Sequence, residues 1–274
     1  MGNRQSNIDR NDSPTTTERA PSGTQTLLRG LDVLEAVSSG PIGLSELATR
    51  LNLSRSTTHR LAGALIERQY LNFVPREGYT LGSKLLELGY RASQEVNIAR
   101  LARPHLEHLA DLTADTVHLG ELKDWQALYV DKIAGQRRLD IRSRVGERQN
   151  LTTTGLGKVL LLDEDESTWR QVWARESGGK AAGKPFETFL KRMRGYKRDG
   201  HAFDLEENED RIRCVAAPIR DAGGHIVAAI SVTSAAQYMN DVRMASLADD
   251  VKATAAAISR ELGWSPMDNN HPPT

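Results

Sequence analysis

The stretch that most constrains this chain runs from Pro41 to Arg68, PIGLSELATRLNLSRSTTHRLAGALIER. Leu44, Leu47, Ala48 and Leu51 recur at i, i+3, i+4 and i+7, which places them on one face of a short helix of about two turns. Asn52 breaks that pattern. Ser54 is placed to cap a second helix, because its side-chain oxygen can accept from the free amides of the first turn. At ~100° per residue, Thr57, Leu61, Ala64 and Leu65 fall on one face of the second helix. Arg55, Ser56, His59, Arg60 and Gly63 fall on the other face or at its margins. A short, polar and positive outer face suits a DNA major groove, where Arg pairs with guanine and Ser or Thr can bond a base edge or a phosphate. Two amphipathic helices with a tight break also occur in proteins that bind no DNA, so the flanking sequence has to decide.

The flanks favour DNA. Downstream, Tyr70 to Leu71 and Tyr79 to Leu81 are apolar pairs on either side of Pro75, Arg76, Glu77 and Gly78, the pattern of a small hairpin. A hairpin directly after a reading helix is a wing. Upstream, Leu27, Leu31 and Leu34 mark a helix from about Thr26 to Ser38, stopped by Ser39, Gly40 and Pro41. The expectation is a winged helix-turn-helix over 24–82, with Ser54, Arg55, Ser56, Thr57, Thr58, His59 and Arg60 on the reading helix and Arg76 at the wing tip as DNA contacts. Bulk charge does not carry this expectation. From Thr24 to Gly82 there are six arginines against five acids, so any electrostatic footprint lies in Arg placement. A dimer would present the helix twice and multiply the phosphate contacts.

The rest of the chain is a second domain. Its 274 residues suffice for two modest domains with separate cores, and the formal charge is zero. Cys214 is the only cysteine, which leaves no internal disulfide and fits a reducing cytoplasm. No apolar run approaches the ~20 residues of a membrane span, and the first residues lack the apolar region of a secretory signal. Residues 1–23 and 265–274 are expected to be disordered tails by composition.

A stripe of Leu85, Leu88, Ala92, Val96 and Ala99 predicts a linker helix, assigned to 83–103 and ending ahead of Pro104. A further helix from about His105 to Leu112 would turn Leu106, Leu109 and Leu112 inward. The period then changes to that of strands at Thr116 to Leu122 and Leu128 to Ile133, with another over Leu139 to Ser143. NLTTTGLGKVLLL turns from a Thr-rich loop into a helix that Thr153 or Thr154 can cap. Its Gly155 and Gly157 would leave first-turn amides open to a carboxylate, or would serve packing alone. Strands from about Ile212 to Ile219 and His225 to Thr233 put Cys214 with Ala216 and Ser231 with Thr233 on shared faces. Small polar residues inside a Val- and Ile-rich hairpin suggest a pocket, because a buried hydroxyl without a partner costs ~1 to 3 kcal/mol. A last helix spans Asn240 to Leu262.

These motifs, LLRGLDVLEAV, LSELATRLNLSRSTTHRL, TGLGK, GHAFDLEENEDRIRCVAAPI and IVAAISVT, resemble in order and separation the IclR family of bacterial transcriptional regulators, from about Thr26 to Leu262. The resemblance implies an α+β chain: a winged helix-turn-helix, a linker helix, and a GAF-like effector domain over 104–264 with a mixed or antiparallel sheet. It implies a homodimer, in some members a homotetramer, that represses or activates catabolic genes by binding double-stranded operator DNA in response to a small organic acid. No cofactor or metal is implied. Carried over by position, the effector pocket would be lined by Leu139, Ile141, Thr154, Gly155, Leu156, Asp204, Ile212, Cys214, Ser231 and Thr233. The chain departs from the family's pattern at Thr152 and Thr153, where His and Ala are usual, and at Ser177 to Lys184. The rival from another class is a small-molecule-binding enzyme using Cys214 with His201, Asp204 or His225, but those spacings match no zinc template and Cys214 lies within an apolar strand.

Overall fold

Alternation of helical and strand periods divides the chain into two compact units, the first ending at Val96 and the second beginning at Asn97. The structure, a computed structural model, describes residues 22–137, 141–179 and 183–266. The expected tails fall largely outside the described residues, as do Leu139 and part of the segment from Ser177 to Lys184.

The first unit opens with α1 (Ser22–Val37), α2 (Leu44–Arg50) and α3 (Arg55–Glu67), followed by the hairpin of β1 (Leu71–Val74) and β2 (Gly78–Leu81) and by α4 (Ser83–Glu95). Asn52, at φ 51°, turns the chain between α2 and α3, and Asn tolerates that left-handed conformation better than most residues. Val33, Val37, Ile42, Leu47, Leu61, Ala62, Leu71 and Tyr79 form one core, and Ile42 pairs with Tyr79 of the wing through backbone bonds of 2.9 and 3.2 Å. Burial shows which face of each helix meets this core. In α1 the buried residues are Val33, Ala36 and Val37, whereas Leu27 and Leu31 are exposed. In α3 the buried face is Thr58, Leu61 and Ala62, and Ala64 is exposed, so the helix is rotated by about one residue from the expected setting. Thr58 precedes Leu61 and Ala62 by three and four residues and therefore shares their face.

The expected linker helix 83–103 is two helices. Val96 is extended, and Asn97 caps α5 (Ile98–Thr113) by accepting from the Arg100 amide at 2.9 Å. Pro104 lies inside α5 rather than ending it. Its residue is exposed, so the Arg100 carbonyl it leaves without an amide donor lies at the solvent side, where water can serve it. Leu112, expected to face inward, is 61% exposed, and Ala110 and Thr113 take the inner positions.

The second unit is built on a six-stranded antiparallel sheet of order β5-β4-β3-β8-β7-β6, formed by β3 (Thr116–Lys123), β4 (Gln126–Ile133), β5 (Arg148–Gln149), β6 (Ala202–Leu205), β7 (Ile212–Arg220) and β8 (Ile226–Ala235). The residues expected as a strand after Leu139 are coil from Ile141 to Arg144, and β6 adds an edge strand ahead of β7. Side-chain alternation gives each face its own layer. Val117, Leu119, Val215, Ala217, Ile230 and Val232 pack against α5 and α9 (Asp241–Glu261). The other face meets α6 (Gly155–Leu160), α7 (Glu166–Glu176) and α8 (Lys184–Asp199) through Leu156, Val159, Trp169, Phe189 and Met193. On this second face a cavity also opens, bordered by residues of strands from β5 to β6 and by the start of α6.

Candidate functional site

In the first unit, the Ser54 side chain accepts from the Thr57 amide at 3.2 Å and donates to the Thr57 hydroxyl at 2.9 Å, so these two hydroxyls are occupied with capping α3. Arg55, Ser56, His59 and Arg60 stand on the exposed face, and among the described residues Arg55 and Arg60 have no ion-pair partner. Arg76 sits at the wing tip, exposed, with φ 76°. Thr58 is removed from the expected contact set: it is fully buried, and its hydroxyl donates to the Ser54 carbonyl at 3.1 Å. The remaining face carries two guanidiniums without ion-pair partners among the described residues, both within the first two turns of a capped helix.

In the second unit, a cavity of about 120 Å³ lies over the exposed part of the sheet face. Thr154 and Leu156 form its roof at the start of α6; Asp204, Cys214, Ser231 and Thr233 form its floor; Ile141 and Ile212 lie at its sides. The register explains this convergence. Asp204 pairs with Cys214, Cys214 with Thr233, and Ser231 with His118, so residues scattered over more than a hundred positions share one face. Gly155 does not line the cavity. A Cβ there would lie 2.6 Å from the Cys214 Sγ, so the glycine lets α6 approach the floor. Gly157 likewise allows contact with Leu151, whose Cα would be 2.5 Å from an added Cβ.

The close approaches at both glycines favour packing, one of the two roles expected of the helix start. Thr154 Oγ1 accepts from the Gly157 amide at 3.0 Å, and the Thr154 carbonyl accepts from Lys158. The glycines serve packing, and α6 has only six residues.

Sequence reasoning missed His118, Tyr129, Arg142, Ser143, Glu147, Gln149, Asn208 and Glu209, which also line the cavity. His118 was legible in one respect: it alternates with Val117 and Leu119 on a strand and so must face away from their core. Its ring stacks on Tyr129 at 4.8 Å, and its Nε2 shares a 2.6 Å hydrogen bond with Ser143 Oγ. Burial, reinforced by Lys132, lowers its pKa to about 3, so the imidazole is neutral. Lys132 itself donates to the carbonyls of Ile141 and Ser143, which holds the rim against β4. Behind the floor, buried Lys158 pairs with Glu207 and donates to the Phe203 carbonyl at 3.0 Å. The Glu207 amide in turn donates to Asp204 Oδ1 at 2.8 Å.

Burial raises Asp204 to about 6, against its hydrogen bond from Glu207. Burial also pushes the Cys214 thiol up to about 12, with Asp204 adding to the shift. A thiol held in that form is a packing group rather than a nucleophile. The Asp204 shift has a sign that can be tested. Between about pH 4 and 6 the folded chain binds this proton and the unfolded chain does not, so stability falls as pH rises through that window. Asp204→Asn is expected to flatten this part of the profile and to stabilise the protein at pH 7.5 by at most about 2 to 3 kcal/mol. Urea unfolding at pH 4.5 and 7.5 measures both, and a variant less stable than the parent at pH 7.5 would show that donors to the carboxylate outweigh its burial.

Comparison with known proteins follows the same two-part division. The family model described as the bacterial transcriptional regulator IclR C-terminal domain matches residues 90–260, and that of the IclR helix-turn-helix domain matches residues 26–75. The chain belongs to the IclR family. It is similar to the HTH-type transcriptional regulator KdgR of Escherichia coli, 29% identical over 255 residues that cover 90% of this chain and 96% of KdgR. The E. coli regulator XynR is 29% identical over 246 residues, covering 88% and 98%. Among solved structures, Pseudomonas aeruginosa HmgR matches with a TM-score of 0.77 at 23% identity, covering 89% of this chain and all of that one. Thermotoga maritima IclR matches at 0.56 and 27% identity, covering 88% and 100%. This IclR-family chain is thus a transcriptional regulator with a DNA-binding winged helix-turn-helix and an antiparallel α+β C-terminal domain.

Proposed function

We propose that this regulator binds a pseudo-palindromic operator as a dimer, and that a small monocarboxylic acid bearing a hydroxyl or oxo group binds its C-terminal unit, alters operator affinity and so controls catabolic genes. The observation that carries the effector reading is a polar cavity holding the Ser231 hydroxyl, 2% exposed and without a protein partner among the described residues. A cavity of about 150 Å³ accommodates benzene, so one near 120 Å³ suits a ligand on the order of six non-hydrogen atoms. Arg142, at the rim, is the one cationic side chain among the described lining residues, while Glu147, Asp204 and Glu209 are acidic. One carboxylate is therefore favoured at the Arg142 end and a second would be repelled, leaving Asp204 to accept from a hydroxyl. The carboxylate is assigned to the Arg142 end rather than to the start of α6, which has only six residues.

Dimerisation is supported by apolar surface with no cover in the first unit. Leu27, Leu28 and Leu31 of α1 are 64, 46 and 45% exposed, and α4 buries no residue while exposing Leu86, Leu88 and Tyr90. The reading places the protein with its DNA, in a bacterial cytoplasm; among the described residues no helix is long and apolar enough to cross a membrane.

A footprint of the full-length protein on DNA upstream of its own gene tests the proposal, taken with and without two- to four-carbon hydroxy and oxo acids. The expected result is two protected half-sites about one helical turn apart, with affinity shifted by one acid by about 5- to 150-fold. A single protected half-site would refute the dimer. Operator affinity indifferent to every acid would refute the effector.

A further inference from the structure

We infer that the Tyr129 hydroxyl, together with that of Ser231, donates to the hydroxyl or oxo oxygen of the ligand, and that this pair selects substituted acids over plain ones. The inference rests on the ligand class proposed above and deepens it. Tyr129 is on β4, lines the cavity and is 8% exposed, yet its hydroxyl has no hydrogen-bond partner among the described residues. The same holds for Ser231, across β3 on β8. Neither oxygen is shut away from the cavity, since the one wholly enclosed side-chain atom without a partner among the described residues is Ser234 Oγ. Two buried donors therefore border a space that a molecule of a few atoms would fill, so its occupant is close to both.

Chemistry assigns the oxygen they serve. Burial first, then Cys214, Glu147 and Asp204, raise the Tyr129 pKa, so the side chain is a phenol that can donate. A keto or hydroxyl oxygen has two lone pairs and can accept from both groups at once. Asp204, on the same floor, would then take the proton of a hydroxyl. The ring is already oriented by its stack on His118, which Ser143 holds in turn, so Tyr129 needs little reordering to meet the ligand. A plain acid of the same length would leave both hydroxyls unsatisfied, and a site built to bond a ligand oxygen rejects the analogue that lacks it.

The test is calorimetric titration of the full-length chain and of Tyr129→Phe and Ser231→Ala with paired acids: glycolate against acetate, and lactate and pyruvate against propionate. Phenylalanine keeps the ring and its stack, and an unchanged thermal midpoint verifies that the fold survives. The parent should prefer a substituted acid by about tenfold or more, and Tyr129→Phe should bring that preference close to unity with the plain acid unaffected. Ser231→Ala should reduce the preference in the same direction. Retention of the full preference by Tyr129→Phe overturns the inference and leaves the ligand class standing. Equal weakening of both members of a pair also overturns it, because the tyrosine would then act through packing alone. A parent that binds none of the acids overturns the ligand class and this inference with it.

Discussion

Replacing Arg137 and Arg243 together by methionine is expected to destabilise the C-terminal unit by about 3 to 5 kcal/mol, because it strands a buried charge. The side chain of Asp115 is fully buried at the entry to β3, with Arg137 Nε 2.6 Å from one oxygen and Arg243 paired with the other. Arg243 also donates to the Thr113 carbonyl at 3.0 Å. The triad joins three segments distant in sequence: the end of α5, the chain beyond β4, and the first turn of α9. Each guanidinium is itself partly exposed, so removing the carboxylate leaves charges that water can reach, whereas removing the guanidiniums does not. The asymmetry makes the prediction specific. Adding Asp115→Asn to the double variant should restore a large part of the loss, since the uncharged amide costs less to bury than a lone carboxylate. Urea unfolding of the three proteins reads the effect as a midpoint shift at constant slope. If the double variant loses less than about 1 kcal/mol, water or a neighbouring donor already solvates Asp115 and the pairing matters little.

Much of the fold was legible because its periods are strong. The helix-turn-helix shows in Leu44 to Leu51 and in the Ser54 cap, and the β7–β8 hairpin shows in alternating small apolar residues around the Asp221–Gly224 turn. Errors arose where two signals compete. Leu27 and Leu31 keep a helical spacing with Leu34, but spacing does not say which neighbour covers them, and among the described residues none does. Pro104 suggested a stop, although an exposed proline can be carried in a helix, and the effective boundary is the Asn97 cap seven residues earlier.

The cavity was legible only in part, for a related reason. Positions matched to the family's motifs place Ile141, Thr154, Leu156, Asp204, Ile212, Cys214, Ser231 and Thr233 around one space. Tyr129 and His118 carry no motif. His118 faces the cavity by alternation along β3, whereas Tyr129 comes to oppose Gly120 because the β3–β4 register shifts between Leu119 and Gly120, an irregularity that sequence alternation alone does not foretell. Close packing favours one of the two roles of TGLGK: Gly155 and Gly157 let α6 approach Cys214 and Leu151.

Arg55→Ala combined with Arg60→Ala is expected to reduce specific operator binding toward the non-specific level. Each arginine that reads a base edge is worth about 1 to 3 kcal/mol, and in a dimer each substitution is present in both half-sites. Both side chains stand on the exposed face of α3 without ion-pair partners among the described residues, so truncation should leave stability nearly unchanged. The single variants separate two modes of contact. If Arg55 reads a base, its loss relaxes discrimination at one position of the half-site; if it meets a phosphate, binding weakens on all sequences and the salt dependence becomes shallower. Thr58→Ala supplies the contrast, since that buried hydroxyl bonds the Ser54 carbonyl and its removal should lower thermal stability while sequence preference is retained. Quantitative mobility-shift titration on operator and scrambled DNA at two salt concentrations resolves all of these outcomes. Parent-like operator affinity in the double variant would mean that α3 does not read the groove.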